Sequence, residues 1–417
     1  MNLVRRYAPW IVASIAVIAL PQVFSSGASI TMMSLMGFAI IFALSYNMLL
    51  GQTGMLSFGH AVYYGLGGFI TAHALNIIGA GKLPVPLPLV PLVGGLAGLS
   101  FAILFGWVST KRAGTVFAMI SLGVGELVAA CSLILRGFFG GEGGISTSRT
   151  ATLNLFGFNF GPQIQVYYLI AVWCLACTAA MYAFTRTPMG RMCNAVRDNP
   201  ERAEYVGYST QMVRFIAFCV SGFFAGVAGG LAAIHYEIVT ASMVGASPSG
   251  FVLLMTYVGG VGYFIGPIIG AVLMTALQIS LSDYTGAWLL YVGLMFVVVV
   301  MYAPGGFAGL ILMHRPLVAG GTLGRLLPAY GLAAVPALAL FAGVVLLIET
   351  THHLLMKMAE GPTMHALWIS YDATSATAWI GIAALLGLGF FAFRRTWPVV
   401  ANAWHEAMIE TRRRLGQ

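Results

Sequence analysis

Apolar runs of roughly 20 residues recur along almost the whole chain, and about that many are needed to cross a bilayer as a helix. Candidate spans fall at 9–26, 29–50, 57–79, 86–108, 115–135, 165–185, 212–235, 247–262, 264–281, 286–303, 330–348 and 376–393. Gly and Pro clusters separate them: Pro84, Pro86, Pro88 and Pro91, then Gly140 to Gly144, then Pro304-Gly305-Gly306. In lipid every backbone polar group must be satisfied within the protein, so spans of this length fold as helices. A membrane β-barrel would show short alternating segments instead.

Composition agrees. The 417 residues are 59% hydrophobic and only 8% charged, with a mean hydropathy of +0.90. A soluble domain is about 25% charged. The expected fold class is all-α, a polytopic transmembrane helical bundle with broken or re-entrant Gly-rich helices. Residues 1–28 carry Arg5 and Arg6 before an apolar core, as a signal peptide does. No clean small-residue cleavage site follows, so this segment reads as the first membrane helix.

The net charge of +8 does not point to nucleic acid, because the basic residues sit in short loops between apolar runs. Such residues orient a membrane protein with the cytoplasmic side richer in Lys and Arg. By parity, Arg5/Arg6, Lys111/Arg112, the stretch 186–214, His314-Arg315 with Arg325, and Arg394/Arg395 with Arg412–Arg414 share one side. Lys82, Arg136, Arg149 and Lys357 fall on the other. Both termini are then cytoplasmic. This count requires an even number of crossings for 247–281: two helices or one re-entrant hairpin, around the breaker GGVGYFIGP at 259–267.

Charge is concentrated in RTPMGRMCNAVRDNPERAEYVGYSTQMVR, residues 186–214, which holds eight charged side chains. Asn199 suits an N-cap and Pro200 the first helical position. Glu201 lies near the positive end of the helix dipole, and Gly207 is a natural stop. The pattern predicts a short helix over Pro200–Val206, with Ser209 or Thr210 capping the next span. Such a helix has no apolar core of its own and fits a docking surface; an ordinary solvated Arg-rich loop is the plain alternative.

Three further constellations stand out. GQTGMLSFGH at 51–60 offers Gly51, Gly54 and Gly59 for a helix break or a close backbone approach. Ser57, His60 and Tyr64 follow helical spacing and would share one face of the third span, toward a polar pathway or a hydrogen-bonded interior. Glu126 is the one acid well inside a span; it either lines a pathway, takes a proton or ties helices together. GGEGGIS at 140–146 is either a mobile outer loop or a contact for an extracytoplasmic partner.

Several chemistries lack their residues. There is no GxxxxGK[ST], so the usual phosphate cradle of an ATPase is absent. Any ATP hydrolysis must come from another subunit. Cys174 and Cys177 have CxxC spacing but lie in an apolar span, and His352-His353 lacks further ligands, so no metal or cofactor is expected.

In order along the chain, LSYNMLLGQTGMLSFGHAVYYGLGGF (44–69), Gly125-Glu126, GGEGGIS (140–146), RTPMGRMCNAVRDNPERAEYVGYS (186–209), SGFFAGVAGGLAA (221–233), GGVGYFIGPIIGA (259–271) and YAPGGFAGL (302–310) resemble the branched-chain amino-acid ABC transporter permeases of the LivM type. The resemblance covers roughly 30–312. It implies an importer permease in a bacterial inner membrane, with residues 29–313 as its core. Its implied partners are a second homologous permease, two cytoplasmic ATPase subunits and a periplasmic substrate-binding protein. It also implies that 186–214 couples to the ATPase through Asn199, Pro200, Glu201, Arg202, Ala203 and Glu204. Asn47, Gln52, Ser57, His60 and Glu126 would lie near the translocation pathway. Many relatives end soon after the YAPGG stretch, whereas here 314–417 adds about two further spans and a basic tail.

The expectation is uptake of branched-chain or other small amino acids by ATP-driven alternating access. Urea, amides and aromatic acids are the alternative substrates of the family. Two rival classes remain: an ion-coupled carrier with proton sites at His60 and Glu126, and an intramembrane enzyme using that pair as acid and base.

Overall fold

The computed structural model describes residues 3–151, 159–356 and 361–415. Lys357 lies outside them. The chain forms two compact units, Met1–Leu277 with Phe296–Ala308, and Gln278–Met295 with Gly309–Gln417.

The first unit opens with α1 (Leu3–Val23), α2 (Gly27–Thr53) and α3 (Ala61–Gly79), then α4 (Val90–Ser109) and α5 (Gly114–Ile134). A single turn, α6 (Arg136–Phe139), precedes α7 (Gln163–Arg186). The charged stretch folds as α8 (Pro188–Asp198) and α9 (Pro200–Tyr205), followed by α10 (Thr210–Tyr236). Next come α11 (Ala246–Gly259) and α12 (Gly266–Tyr284), whose last residues enter the second unit. That unit also takes the start of α13 (Trp288–Tyr302) and most of α14 (Gly306–Met313). It continues with α15 (Arg315–Ala319), α16 (Leu327–Met356) and α17 (Ala376–Leu415). Among the described residues nine helices are long and apolar enough to cross a membrane. The chain is a multi-pass helical membrane protein.

The centre of the first unit is α10, which packs on α2, α3 and α4. Helices in lipid gain nothing from hiding apolar surface from water, so close backbone packing does the joining. Glycines permit it here. A methyl group on Gly226 would strike the Gly94 carbonyl of α4, and one on Gly229 would strike the Tyr64 carbonyl of α3.

One expectation changes. The third span begins at Ala61, so Ser57 and His60 precede it rather than sharing its face. The reason is Gly54, whose left-handed φ of 69° ends α2 and turns the chain out of helical geometry. The stretch 247–281 folds as α11 and α12, broken at the expected Gly-rich point. At 14 residues α11 spans only about 21 Å, short of a bilayer core of about 30 Å. The chain reaches it through a short strand and a 3-10 turn, Ala241–Val244, that lays Val244 against Gly65 of α3. It then reverses where the Gly259 and Gly266 backbones meet. The basic tail continues the last span: α17 runs unbroken for 40 residues, with Pro398 inside it.

In the second unit α16 packs along α17, with Leu386 against Gly343 and Leu340 against Gly389. A hairpin links them, β3 (Thr363–Ala366) paired antiparallel with β4 (Ile369–Asp372). Glu349, just past the expected end of its span, is inside α16 and accepts hydrogen bonds from Tyr291 Oη at 2.7 Å and Thr285 Oγ1 at 3.1 Å.

Candidate functional site

The charged stretch follows its capping signals. Asn199 Oδ1 accepts the Arg202 N–H at 2.9 Å, and Pro200 stands at the first turn. Gly207, at φ 92°, stops α9 one residue earlier than expected. Ser209 Oγ then caps α10 through the Met212 N–H at 3.3 Å. The helix α8, capped by Thr187 and started by Pro188, was not expected. Its buried Cys193 and Val196 join Ala203 of α9 and Val213 and Ala217 of α10 in one apolar cluster. Thus α8, α9 and the start of α10 form one packed body, whose burial pushes the Cys193 thiol up to about 12.

The six residues expected to couple have different settings. Asn199 and Pro200 begin the helix, and Ala203 is buried in the cluster. Glu204 Oε1 accepts the Thr210 hydroxyl at 2.7 Å. Glu201 and Arg202 are exposed. Tyr205 is 90% exposed and Val206 70%, an apolar tip that the sequence reading passed over. The signal was available, since two large apolar side chains stand beside the stop glycine of a polar stretch.

At the other constellation, residues 54–60 run between the end of α2 and the start of α3, touching three helices. Phe58 N–H donates to Ser121 Oγ of α5 at 3.0 Å. Gly59 abuts the Ser121 carbonyl and the Gly125 N–H. Ala61 N–H donates to Ser249 Oγ of α11 at 3.0 Å. His60 is wholly buried, stacked on Phe42 with ring centroids 5.4 Å apart and edge-on to Tyr46 at 5.3 Å. Its Nε2 lies 3.0 Å from Ser45 Oγ, which donates to the Phe42 carbonyl at 2.7 Å. Ser45 is therefore the acceptor, and Nε2 carries the hydrogen.

Asn47, Gln52 and Ser57 are also buried inside this subunit. Among the described residues Asn47 Oδ1, Gln52 Oε1, Ser57 Oγ and His60 Nδ1 have no hydrogen-bond partner. Buried groups of that kind cost about 1–3 kcal/mol each. All four lie within residues 47–60, at the end of α2 and the segment that follows it.

Glu126 is set apart from these four. It sits in the middle of α5 with Gly125 turned inward, and its own side chain is exposed on the outer surface of the bundle. Among the described residues no hydrogen bond joins it to His60. The pair is not arranged as an acid–base couple.

At the far end of α10 the Gly-rich stretch is pinned rather than loose. β1 (Ile145–Ser146) pairs with β2 (Ile238–Val239). Arg149 donates to the carbonyls of Phe160 at 2.9 Å, Gly161 at 3.1 Å and His235 at 3.3 Å. It also pairs with Glu237 at 3.7 Å.

A family model described as "Branched-chain amino acid transport system / permease component" matches residues 29–304. The chain is 28% identical over 320 residues to the high-affinity branched-chain amino acid transport system permease protein LivM of Salmonella typhimurium, covering 72% of this chain and 73% of that one. It is 28% identical over 298 residues to LivM of Escherichia coli, covering 66% and 68%. It is 23% identical over 252 residues to the probable permease LivH of Methanocaldococcus jannaschii, covering 59% and 77%. No solved structure matches it significantly. A matched region reaching from the start of α2 through α13, over the interrupted segment, Glu126 and the charged stretch, makes this chain a member of the branched-chain amino acid permease family of ABC importers.

Proposed function

We propose that this permease moves branched-chain or other small amino acids inward, paired with a second related permease. Two ATPase subunits would dock on α8–α9 at the cytoplasmic face, and a binding protein would deliver substrate to the opposite face. The observation that carries the docking role is the welded body of α8, α9 and α10 that ends in the exposed Tyr205–Val206 tip. An apolar tip on a charged, water-facing body fits a partner's pocket.

Glu126 supports the pairing. A charged side chain exposed in mid-span is costly against lipid, so its position favours a neighbour or a polar path on that face of α5. The four buried groups, Asn47, Gln52, Ser57 and His60, act on this reading as the joint between α2 and α3, and Glu126 as the group nearest the path. The distribution of basic residues supports cytoplasmic termini.

The test is reconstitution. The chain is purified with whatever ATPases, sister permease and binding protein accompany it, and uptake of leucine, valine and isoleucine is measured with and without ATP. Urea, a short amide and an aromatic acid serve as competitors. ATP-dependent leucine uptake that these do not compete with is expected. Uptake by this chain alone, driven by a proton gradient, would sink the reading in favour of an ion-coupled carrier.

A further inference from the structure

One side chain crosses from the charged body into the interrupted segment. Arg197, at the end of α8, donates through Nη1 to the carbonyl of Gly51 in the last turn of α2. Its Nε is held by Asp198 Oδ1 at 2.9 Å. Its methylene stem lies over Gly54, so close that a methyl group there would sit 3.1 Å from Arg197 Cγ. The last carbonyls of a helix lack partners within it and carry partial negative charge, so a guanidinium suits this end of α2. Gly54 is also where α2 leaves helical geometry.

We propose that Arg197 is a positioning strut that transmits movement of the docking body to the joint between α2 and α3, and through it to α5. This rests on the reading that α9 docks an ATPase. The mechanical chain is continuous. Ala203 of α9 packs with Val196 of α8, next to Arg197. Arg197 grips both Gly51 and Gly54. Four residues on, the Phe58 N–H is held by Ser121 of α5. Glu126 lies five residues further along that helix, so a shift of the joint turns or slides the face that carries it.

The experiment uses the whole reconstituted complex and three readouts: copurification of the ATPase, ATP hydrolysis, and substrate taken up per ATP. Arg197→Met keeps a stem over Gly54 and removes every donor. It should retain the ATPase at the wild-type ratio while uptake per ATP falls at least tenfold. Arg197→Lys, which restores one donor, should recover a substantial part of that loss. Uptake per ATP unchanged in Arg197→Met overturns the strut. So does loss of the ATPase in that variant, which would make Arg197 part of the docking face. If Arg197→Met inserts poorly, Arg197→Lys decides alone: intermediate uptake per ATP supports the strut, and wild-type uptake overturns it. Failure of the docking reading is separable, because it shows as undiminished ATPase copurification in Tyr205→Asp whatever Arg197 does.

Discussion

Ser45 and His60 lie 15 residues apart and meet at 3.0 Å, closing the loop by which the chain turns back from the end of α2 to the start of α3. The bond is fully buried and fixes the imidazole hydrogen on Nε2. Ser45→Ala leaves that N–H without an acceptor in a closed interior. The expected cost is about 1–3 kcal/mol of stability. Thermal unfolding of the detergent-solubilised protein should show a lower midpoint than wild type, and an unchanged midpoint would remove the bond from the account.

The glycine contacts of α10 make a contrast. In Gly229→Ala the added methyl meets the Tyr64 carbonyl, part of a helix backbone that cannot swing aside. Overpacking of this kind costs about 1–3 kcal/mol or more. Gly123→Ala on α5 meets nothing within 4 Å. Gly229→Ala should therefore give little monodisperse protein by size exclusion, and Gly123→Ala a normal yield.

Docking predictions follow from exposure. Tyr205→Asp puts a charge on the apolar tip without disturbing the buried cluster. It should lower ATPase affinity by at least about 2 kcal/mol, roughly thirtyfold, if the tip is a central contact. Pull-down of the ATPase across a concentration series measures this.

The two glutamates of α9 should separate. Glu201 is exposed, so Glu201→Lys should spare insertion and reduce the coupling of ATP hydrolysis to uptake. Glu204 holds the Thr210 hydroxyl, so Glu204→Lys should in addition loosen the start of α10. Faster amide exchange at 204–212 in that variant alone would show the difference, and normal coupling in the Glu201→Lys, Glu204→Lys double variant would count against the docking role.

For Glu126, the outward side chain means that folding should tolerate its replacement. Glu126→Gln and Glu126→Leu are expected to insert and to run as monodisperse protein by size exclusion as wild type does, because the side chain is exposed in this subunit. Uptake should fall in both, more in Glu126→Leu. Normal uptake in Glu126→Leu would exclude the residue from the path.

What could be read beforehand was local. Span positions follow from apolar length, and the start and stop of α9 follow from Asn199, Pro200 and Gly207, because backbone capping involves residues only two to four apart. The amphipathic α8 was hidden because its apolar positions, Cys193 and Val196, make sense only beside Ala203 and Val213. Ser57 and His60 were placed on a helical face because their spacing fits one. Their setting outside the helix is fixed by anchors on Ser121 of α5 and Ser249 of α11, far away in sequence.

The sequence by itself therefore determined a helical membrane protein with a charged body and a Gly-rich interruption. Hydropathy and backbone satisfaction leave little else possible for such runs in lipid. Tertiary structure alone decided that Arg197 reaches Gly51, that His60 is buried against Ser45, and that Glu126 faces outward from α5. These relationships depend on which helix faces are brought together, and close glycine packing around α10 sets that, not the order of residues along any one span.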